Sequence, residues 1–142
     1  MQENPLRPIW VEDESQRMGL LNIPGAFIRS MHRSQLFFIE IPFEERLNFI
    51  LEEYGNWSSE KLANAIVRIK KRLGPLETKN ALLYLEENNL KECFRILLKY
   101  YDKSYIKALN KWQESNLPIF KLTCNRVDTE YFCRMLMNKQ KA

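Results

Sequence analysis

The acidic residues that follow the first apolar run are candidates for metal or phosphate chemistry. The apolar run IWV at residues 9–11 is followed directly by Glu12, Asp13 and Glu14. This is the form of a Walker B element, in which a strand places carboxylates where they hold Mg²⁺ through water and orient an attacking group. Buried strands also end in acids that only solvate a turn, and for this run alone that simpler interpretation is the stronger one.

The phosphate-binding partner that a Walker B element requires is absent from the sequence. That partner has the pattern GxxxxGK[ST], whose backbone N–H groups cradle phosphates. The chain contains 4 glycines in all, none of them in this pattern. A nucleophilic triad is missing as well, because His32 is the single histidine and no GxSxG motif occurs. We therefore expect no hydrolase chemistry built within this chain, and no cofactor bound by this chain alone.

Basic residues are concentrated in the second part of the chain, although 22 basic against 18 acidic residues give a net charge of only +4. Residues 1–56 carry five basic and nine acidic side chains (−4), and residues 57–142 carry seventeen and nine (+8). In the densest run, Arg68, Lys71 and Arg72 share one face of a helix. Such a face can neutralise phosphates of RNA or of a nucleotide, but on spacing alone a solvated helix face is the stronger interpretation.

Aromatic residues alternate with lysines further along the chain. Tyr101 and Tyr105 lie among the four lysines of residues 99–111, and an aromatic ring beside a basic side chain suits an unstacked RNA base. Tyrosines of this kind are more often half-buried, with the ring in the core and the hydroxyl in water. Arg126 directly follows an apolar stretch and is a further candidate contact for an anion.

The cysteines Cys93, Cys124 and Cys133 are odd in number and widely spaced. Without a CxxC pair or a Cys/His cluster they predict neither a zinc site nor a disulfide framework, and we expect reduced thiols in a cytoplasmic protein. The sequence starts without the charged and then apolar plan of a signal peptide. Its longest apolar stretch, LFFIEI, is too short to span a bilayer, so no membrane partner is expected.

The elements that position these residues follow from apolar spacing and from capping residues. In order, we predict a buried strand over 8–11, a helix over 24–33, a strand over 36–41, a helix from Pro42 to a stop at Gly55, helices over 58–73, 76–88 and 90–101, a helix capped by Asp102, a strand over 118–123 and a helix capped by Asp128. The fold class is therefore α/β, with a small parallel sheet of about three strands followed by a mostly helical subdomain. Its free apolar strand edges need neighbours, which indicates a fragment or a subunit that requires a partner.

Several sequence blocks together carry a family resemblance. The first and most specific is PIWVEDES at 8–15 with Arg17, Gly19 and the Ile-Pro pair at 23–24, which is similar to the pattern VEDES-x-R-x-G…(I/L)-P. Further similar blocks lie, in order, at 40–46, 52–54, 71–74 and 100–102 with Tyr105. Their order and spacing agree from about residue 6 to residue 136. By these blocks the sequence resembles bacterial tRNA 2-selenouridine synthases.

The resemblance implies a fold and a reaction that this chain contains only in part. Members of that family have an N-terminal rhodanese domain with an essential cysteine, followed by a P-loop domain. They act on the wobble 2-thiouridine of certain tRNAs, where the sulfur is first alkylated with geranyl diphosphate and then replaced by selenium from selenophosphate. By this resemblance the chain is the C-terminal part, its sheet is a partial P-loop-type sheet, and the rhodanese cysteine and the phosphate-binding loop lie upstream of Met1.

The resemblance also implies a role for each matching position. Asp13 and Glu14 lie at the phosphate or Mg²⁺ end of the P-loop site, and Arg17 neutralises a phosphoryl or diphosphate group nearby. The basic residues of the 68–72 run contact that anion or the tRNA backbone. The segment 100–105 faces RNA or packs within the helical subdomain.

Three segments are expected on this basis. Residues 1–56 form the second half of a P-loop-like α/β domain, residues 57–117 a basic helical subdomain, and residues 118–142 a closing strand with a C-terminal helix. Mg²⁺, a diphosphate-containing ligand, tRNA, geranyl diphosphate and selenophosphate belong to the complete protein with its N-terminal half. The isolated chain resembles part of a selenium-transferring tRNA-modifying transferase and is expected to be inactive.

Two other functions remain compatible with the sequence. The first is a nucleotide-binding ATPase or kinase of another P-loop class, against which the absent glycine-rich loop argues. The second is a non-enzymatic module whose helical face binds a protein partner. The main hypothesis differs from both, because it requires tRNA binding together with the acidic half of a phosphate or Mg²⁺ site for the conversion of wobble 2-thiouridine to 2-selenouridine.

Overall fold

The computed structural model describes residues 9–13, 17–18, 20–114 and 118–139. Within them the elements in chain order are β1 (Arg17–Met18), β2 (Leu21–Asn22), α1 (Gly25–Met31), β3 (Leu36–Glu40), α2 (Phe43–Tyr54), α3 (Ser59–Leu73), α4 (Pro75–Glu86), α5 (Leu90–Glu114), β4 (Ile119–Thr123) and α6 (Thr129–Lys139). None of the described helices is both long and apolar enough to cross a membrane.

Two apolar strands form the parallel sheet that the sequence predicted. β3 and β4 pair in parallel, starting with Leu36 opposite Ile119. Parallel neighbours need a crossover connection, which here contains the helices α2 to α5, and Phe37 stacks on Phe120 across the pair with 4.9 Å between ring centroids. β1 and β2 form a separate antiparallel hairpin. The α/β fold class, with a small parallel sheet followed by helices, is therefore confirmed.

The predicted buried strand over 8–11 is wrong for residues 9–11, and residue 8 lies outside the described residues. Residues 9–13 form no strand, and Ile9 and Val11 are 70% and 47% exposed. Trp10 packs edge to face on Phe37 of β3, with 4.9 Å between the ring centroids. A strand is held by a ladder of backbone hydrogen bonds. Because no described strand pairs with residues 9–11, this run packs beside the sheet through Trp10 and does not add a strand to it.

Local capping signals in the sequence set several helix ends. Ser58 caps α3, because its side chain accepts a backbone hydrogen bond from the first turn. Gly74 separates α3 from α4 at a φ of 96°, a left-handed value that glycine adopts without strain, and Pro75 takes the first position of α4. Asp128 caps α6 as predicted, since its carboxylate accepts the Tyr131 backbone N–H at 2.9 Å.

The prediction that Asp102 caps a separate helix is wrong. α5 is one helix of 25 residues from Leu90 to Glu114, and it contains neither a glycine nor a proline that would end it. Asp102 lies in the middle of this helix, and its carboxylate accepts hydrogen bonds from the Arg46 side chain of α2. Asp102 is therefore bound to Arg46, a residue distant in sequence, and does not cap a helix.

The main hydrophobic core lies among α2, α3, α4 and α5. Leu47 and Cys93 are fully buried and Ile66 is 1% exposed. The other buried members of this cluster are Leu62, Leu73, Ala81, Leu85, Phe94 and Leu98. Leu109 and Trp112, in the second half of α5, are buried outside the cluster. The first half of α5 therefore belongs to the helical core, and the second half extends beyond it.

An ion pair between Arg46 of α2 and Asp102 joins α5 to α2. The guanidinium donates to the two carboxylate oxygens at 2.6 and 2.9 Å, and its Nε donates to the Ile41 carbonyl at 3.1 Å. The two side chains are 29% and 27% exposed. A second pair joins Arg95 of α5 to Glu44 of α2, and the hydrogen bond from Arg95 holds the pKa of the Glu44 carboxyl below its usual range.

We predict that Asp102→Asn lowers the free energy of unfolding by about 1–3 kcal/mol, because it removes one charge from a half-buried pair and leaves the Arg46 guanidinium uncompensated. Urea denaturation followed by circular dichroism measures the change. Glu130→Gln is the matched control, since Glu130 pairs with Arg134 on the exposed surface of α6 and exposed pairs contribute little. Equal shifts of the two unfolding midpoints would contradict the special role of the Arg46–Asp102 pair.

Candidate functional site

A cleft of about 1550 Å³ opens between the sheet and the second half of α5. Its sheet side is formed by residues 36–42, and its helix side by α5 residues between 100 and 112. The remaining wall residues are Glu12, Asp13, Ile28, His32, Arg46, Arg72, Lys121 and Thr123. Open α/β sheets bind their ligands at the carboxyl ends of parallel strands. The cleft includes that end of β3 and is therefore the candidate site.

The helix side of the cleft carries the aromatic residues that the sequence suggested for RNA bases. Tyr101 and Tyr105 both line the cleft and are 47% and 54% exposed. They are four residues apart and so lie on one face of α5. The Tyr101 ring contacts the Tyr100 ring at a centroid distance of 5.2 Å. The opposite side is mixed in character, because the sheet contributes Leu36 and Phe38 together with the charged Glu40 and Lys121.

The charges on the cleft wall divide into paired and unpaired groups. Arg46 is neutralised by Asp102, and Lys121 lies 3.4 Å from the Glu40 carboxylate. The three other basic wall residues form no ion pair within the described residues; they are Arg72, Lys107 and Lys111. The cleft therefore offers uncompensated positive charge beside exposed tyrosine rings, which is the combination that binds nucleic-acid phosphates and bases.

Asp13 lies on the cleft wall and is bound to the far end of α5. Its Oδ2 accepts a hydrogen bond from the Trp112 indole Nε1–H at 2.9 Å, and its Oδ1 lies 3.6 Å from His32 Nε2. The His32 ring also packs edge to face on the Trp112 ring at 5.0 Å. This carboxylate is 30% exposed, so it stays accessible while the indole holds its orientation.

The remaining predicted site residues lie away from the cleft or outside the described part of the chain. Glu14 is outside the described residues, and Arg17 belongs to β1 without a described side chain. Arg68 and Lys71 are exposed on α3 and do not line the cleft. Of the predicted basic run, only Arg72 lies on the cleft wall. The structure thus brings Asp13 and Arg72 together with the two tyrosines.

Arg126 lies in the turn between β4 and α6 and does not line the cleft. Its side chain is 76% exposed and its Nη2 lies 3.1 Å from the Asp128 carboxylate. The backbone N–H of Tyr131 and the Arg126 guanidinium together hold the pKa of Asp128 below its usual range. Arg126 therefore supports the cap of α6, and its role as an anion contact stays a prediction.

A magnesium ion requires oxygen ligands, and four carboxylates line the described part of the cleft. Asp102 and Glu40 form ion pairs with Arg46 and Lys121, which leaves Glu12 and Asp13 for that purpose. Within the described residues no three Asp, Glu, His or Cys side chains form a group that could hold a metal. Protein sites for Mg²⁺ on phosphate substrates need less, because one or two carboxylates act together with water and the phosphates themselves. Glu12 and Asp13 both line the cleft and fit this smaller requirement.

Most contributors to the cleft were not predicted as site residues, and three of them make contacts that local sequence does not indicate. His32 has no neighbouring ligand pattern in the sequence, and Arg46 is separated by 56 positions from Asp102. Trp112 is one of the aromatic residues interleaved with the lysines of α5, but its partner Asp13 is 99 positions away. Local spacing carries no signal for contacts this far apart, so only the folded chain reveals them.

Comparison with known proteins identifies a family and several relatives. The family model of the tRNA 2-selenouridine synthase AAA domain matches residues 1–132. The tRNA 2-selenouridine synthase of Shewanella woodyi is 30% identical over 142 residues, covering 80% of this chain and 39% of that protein. The synthase of the same name from Shewanella loihica is 34% identical over 90 residues, covering 51% of this chain and 24% of that protein.

A relative outside that genus agrees with these two. The tRNA 2-selenouridine synthase of Chromohalobacter salexigens is 29% identical over 123 residues, covering 67% of this chain and 34% of that protein. No solved structure matches the chain. The chain spans about two-fifths, or less, of the length of these curated relatives.

The three thiols differ in burial, and burial decides whether a thiol can act as a nucleophile. Cys93 and Cys124 are buried and Cys133 is exposed on α6. Burial raises the pKa of the Cys93 thiol to about 11, and the thiolate is the form that attacks electrophiles. None of the three lines the cleft. They are therefore structural or surface thiols in this arrangement.

We predict that the native chain at pH 8 reacts quickly with a disulfide reagent at one thiol and at all three after denaturation. Cys93 is almost entirely protonated at this pH because its pKa is about 11, and Cys124 is inaccessible. Release of the chromophore from 5,5′-dithiobis(2-nitrobenzoate) counts the thiols. Cys133→Ser removes the fast reaction, whereas a fast reaction that persists in this variant would contradict the assignment.

Proposed function

The chain belongs to the family of tRNA 2-selenouridine synthase AAA domains, and we propose that it supplies tRNA binding and the acidic half of a phosphate or Mg²⁺ site in such an enzyme. The reaction is the conversion of wobble 2-thiouridine to 2-selenouridine through a geranylated intermediate. The proposal takes its reaction from the family and its residues from the cleft. It assigns the cleft to the modified nucleotide and the phosphate-bearing substrate.

The observation that carries this proposal is the meeting of four predicted residues around one cleft. Asp13, Arg72, Tyr101 and Tyr105 come from the segment before β1, from α3 and from α5, yet all line the same cleft. The sequence named these residues for acidic, phosphate-neutralising and base-stacking roles. Their convergence supports a site that takes a nucleotide of an RNA chain and an anionic co-substrate together.

The tRNA is held through charge and stacking. Arg72, Lys107 and Lys111 have no carboxylate partner among the described residues, so they are available to phosphates of the backbone. The rings of Tyr101 and Tyr105 offer surfaces on which an unstacked base can rest. A wobble base splayed out of its loop would thereby enter the cleft with its phosphates on the lysine and arginine side chains.

The co-substrates fit two parts of the cleft wall. Leu36 and Phe38 of β3 give an apolar surface, which suits the hydrocarbon chain of geranyl diphosphate. Glu12 and Asp13 lie at the edge where a magnesium-bound diphosphate would be held through water. The Trp112 indole keeps Asp13 oriented toward that position. Mg²⁺, when bound, supplies charge neutralisation of the leaving diphosphate.

The chain acts with other parts of the enzyme. It contains no GxxxxGK[ST] loop, so we assign the phosphate-binding loop to another segment of the enzyme. We assign the essential cysteine of the rhodanese domain to another segment as well. We expect the chain by itself to bind tRNA without converting 2-thiouridine. Conversion by the isolated chain supplied with geranyl diphosphate and selenophosphate would contradict this division.

We predict that the chain binds tRNA carrying wobble 2-thiouridine at about 50 mM salt and loses much of this affinity at about 200 mM, because phosphate contacts release counterions. Fluorescence anisotropy of labelled tRNA measures both affinities. Arg72→Gln lowers the slope of log affinity against log salt by about 0.7–0.9. Lys91→Gln, which removes an exposed charge at the start of α5 outside the cleft, is the matched control.

Two outcomes would contradict the prediction. Absence of tRNA binding at the lower salt concentration would move RNA recognition to other parts of the enzyme. Equal changes of the salt slope in the Arg72→Gln and Lys91→Gln variants would show that the cleft has no privileged contact with phosphates.

A further inference from the structure

An exposed pair of aromatic rings lies at the turn between α2 and α3, away from the cleft. Tyr54 and Trp57 are 42% and 49% exposed. Their ring centroids are 4.9 Å apart at an interplanar angle of 78°, and the Trp57 backbone N–H donates to the Tyr54 carbonyl at 3.0 Å. The Tyr54 ring thus packs against the Trp57 ring, and both rings remain exposed to solvent. Large rings held in fixed positions at the surface are typical of binding sites.

A stripe of basic side chains starts at this aromatic pair and runs along α3. Lys61 places its ammonium 5.8 Å from the centroid of the Trp57 ring. Arg68 and Arg72 follow at spacings of seven and four residues, so the three side chains lie within about 40° of one another around the helix. We call Lys61, Arg68 and Arg72 the α3 stripe. All three are exposed.

The charges of the α3 stripe are uncompensated. None of its three members forms an ion pair within the described residues, whereas the arginines Arg46, Arg95 and Arg126 each pair with a carboxylate. Glu60 in the first turn of α3 lies about 100° around the helix from Lys61 and so is off the stripe. A row of fixed, unneutralised cations on one face is suited to a polyanion.

The α3 stripe leads from the aromatic pair into the cleft. Arg72, at its far end, is a residue of the cleft wall. Its three members span about 16 Å along the helix axis, since each residue of an α-helix rises about 1.5 Å. Trp57, the stripe and the cleft therefore form one continuous path, with aromatic rings at both ends and positive charge between them.

We propose that a single-stranded segment of the substrate RNA follows this path, with a base stacked on Trp57 and its phosphates on the α3 stripe, before it enters the cleft. The inference rests on the proposed function, because it takes the polyanion to be tRNA. The aromatic ring distinguishes RNA from an acidic peptide, since unpaired bases stack on such a ring and carboxylates do not. Trp57 and Lys61 are thus RNA contacts that lie outside the cleft.

The test is a titration of the chain with fluorescein-labelled tRNA carrying wobble 2-thiouridine. Trp57→Ala is expected to weaken binding about tenfold, because it removes the ring on which a base stacks. Trp57→Phe keeps a stacking ring and is expected to remain within about threefold of the unchanged chain. Lys61→Gln and Arg68→Gln each lower the salt slope by about 0.7. Tyr131→Ala, at an exposed ring of α6 that is off the path, leaves binding unchanged.

The outcomes separate this inference from the function on which it rests. Binding of tRNA by the unchanged chain, together with undiminished binding by Trp57→Ala, would overturn the path and leave the cleft proposal standing. Equal losses in the alanine and phenylalanine variants would overturn stacking. No binding by the unchanged chain at low salt would overturn both proposals. Circular dichroism of each variant confirms that the fold is intact, since Trp57 lies outside the core.

Discussion

The doubly hydrogen-bonded ion pair between Arg46 and Asp102 is the constraint on which the candidate site depends. It holds the middle of α5 against the end of β3, through oxygens at 2.6 and 2.9 Å and a third bond to the Ile41 carbonyl. The tyrosines and lysines of this part of α5 line the cleft together with Asp102. Burial of Leu109 and Trp112 and the bond from Trp112 to Asp13 hold the far end of this helix of 25 residues, and the ion pair holds its middle.

Ion pairs also determine which basic side chains of the cleft remain available to bind phosphates. Because Arg46 is neutralised by Asp102 and Lys121 lies beside Glu40, these cations serve the structure. Arg72 has no such partner within the described residues, and it belongs both to the cleft wall and to the α3 stripe. Arg72 thus belongs to both surfaces to which we assign RNA. It lies within residues 57–142, the part of the chain that carries the excess of positive charge.

The sequence predicted what depends on local chemistry and failed where distant residues decide. The end of α3 at Gly74 and the cap at Asp128 follow from residue types within one turn, and both were predicted. The strand over 8–11 looked apolar enough, but a strand needs a hydrogen-bonded neighbour, and no described strand pairs with residues 9–11. Asp102 was predicted to cap a helix because local spacing gives no sign of its partner Arg46, 56 positions away. Local spacing gives no sign of the Asp13–Trp112 bond either.

Hydroxyl-radical footprinting of the chain with and without tRNA carrying wobble 2-thiouridine shows most directly whether RNA occupies the cleft and the path from Trp57, because exposed aromatic side chains are oxidised and bound RNA shields them. Mass spectrometry reads each ring, and Tyr131 on α6, which is 45% exposed, corrects for radicals consumed by the RNA. We expect bound tRNA to protect Trp57, Tyr101 and Tyr105 relative to Tyr131. Bound tRNA that leaves these three rings as reactive as Tyr131 would contradict this expectation.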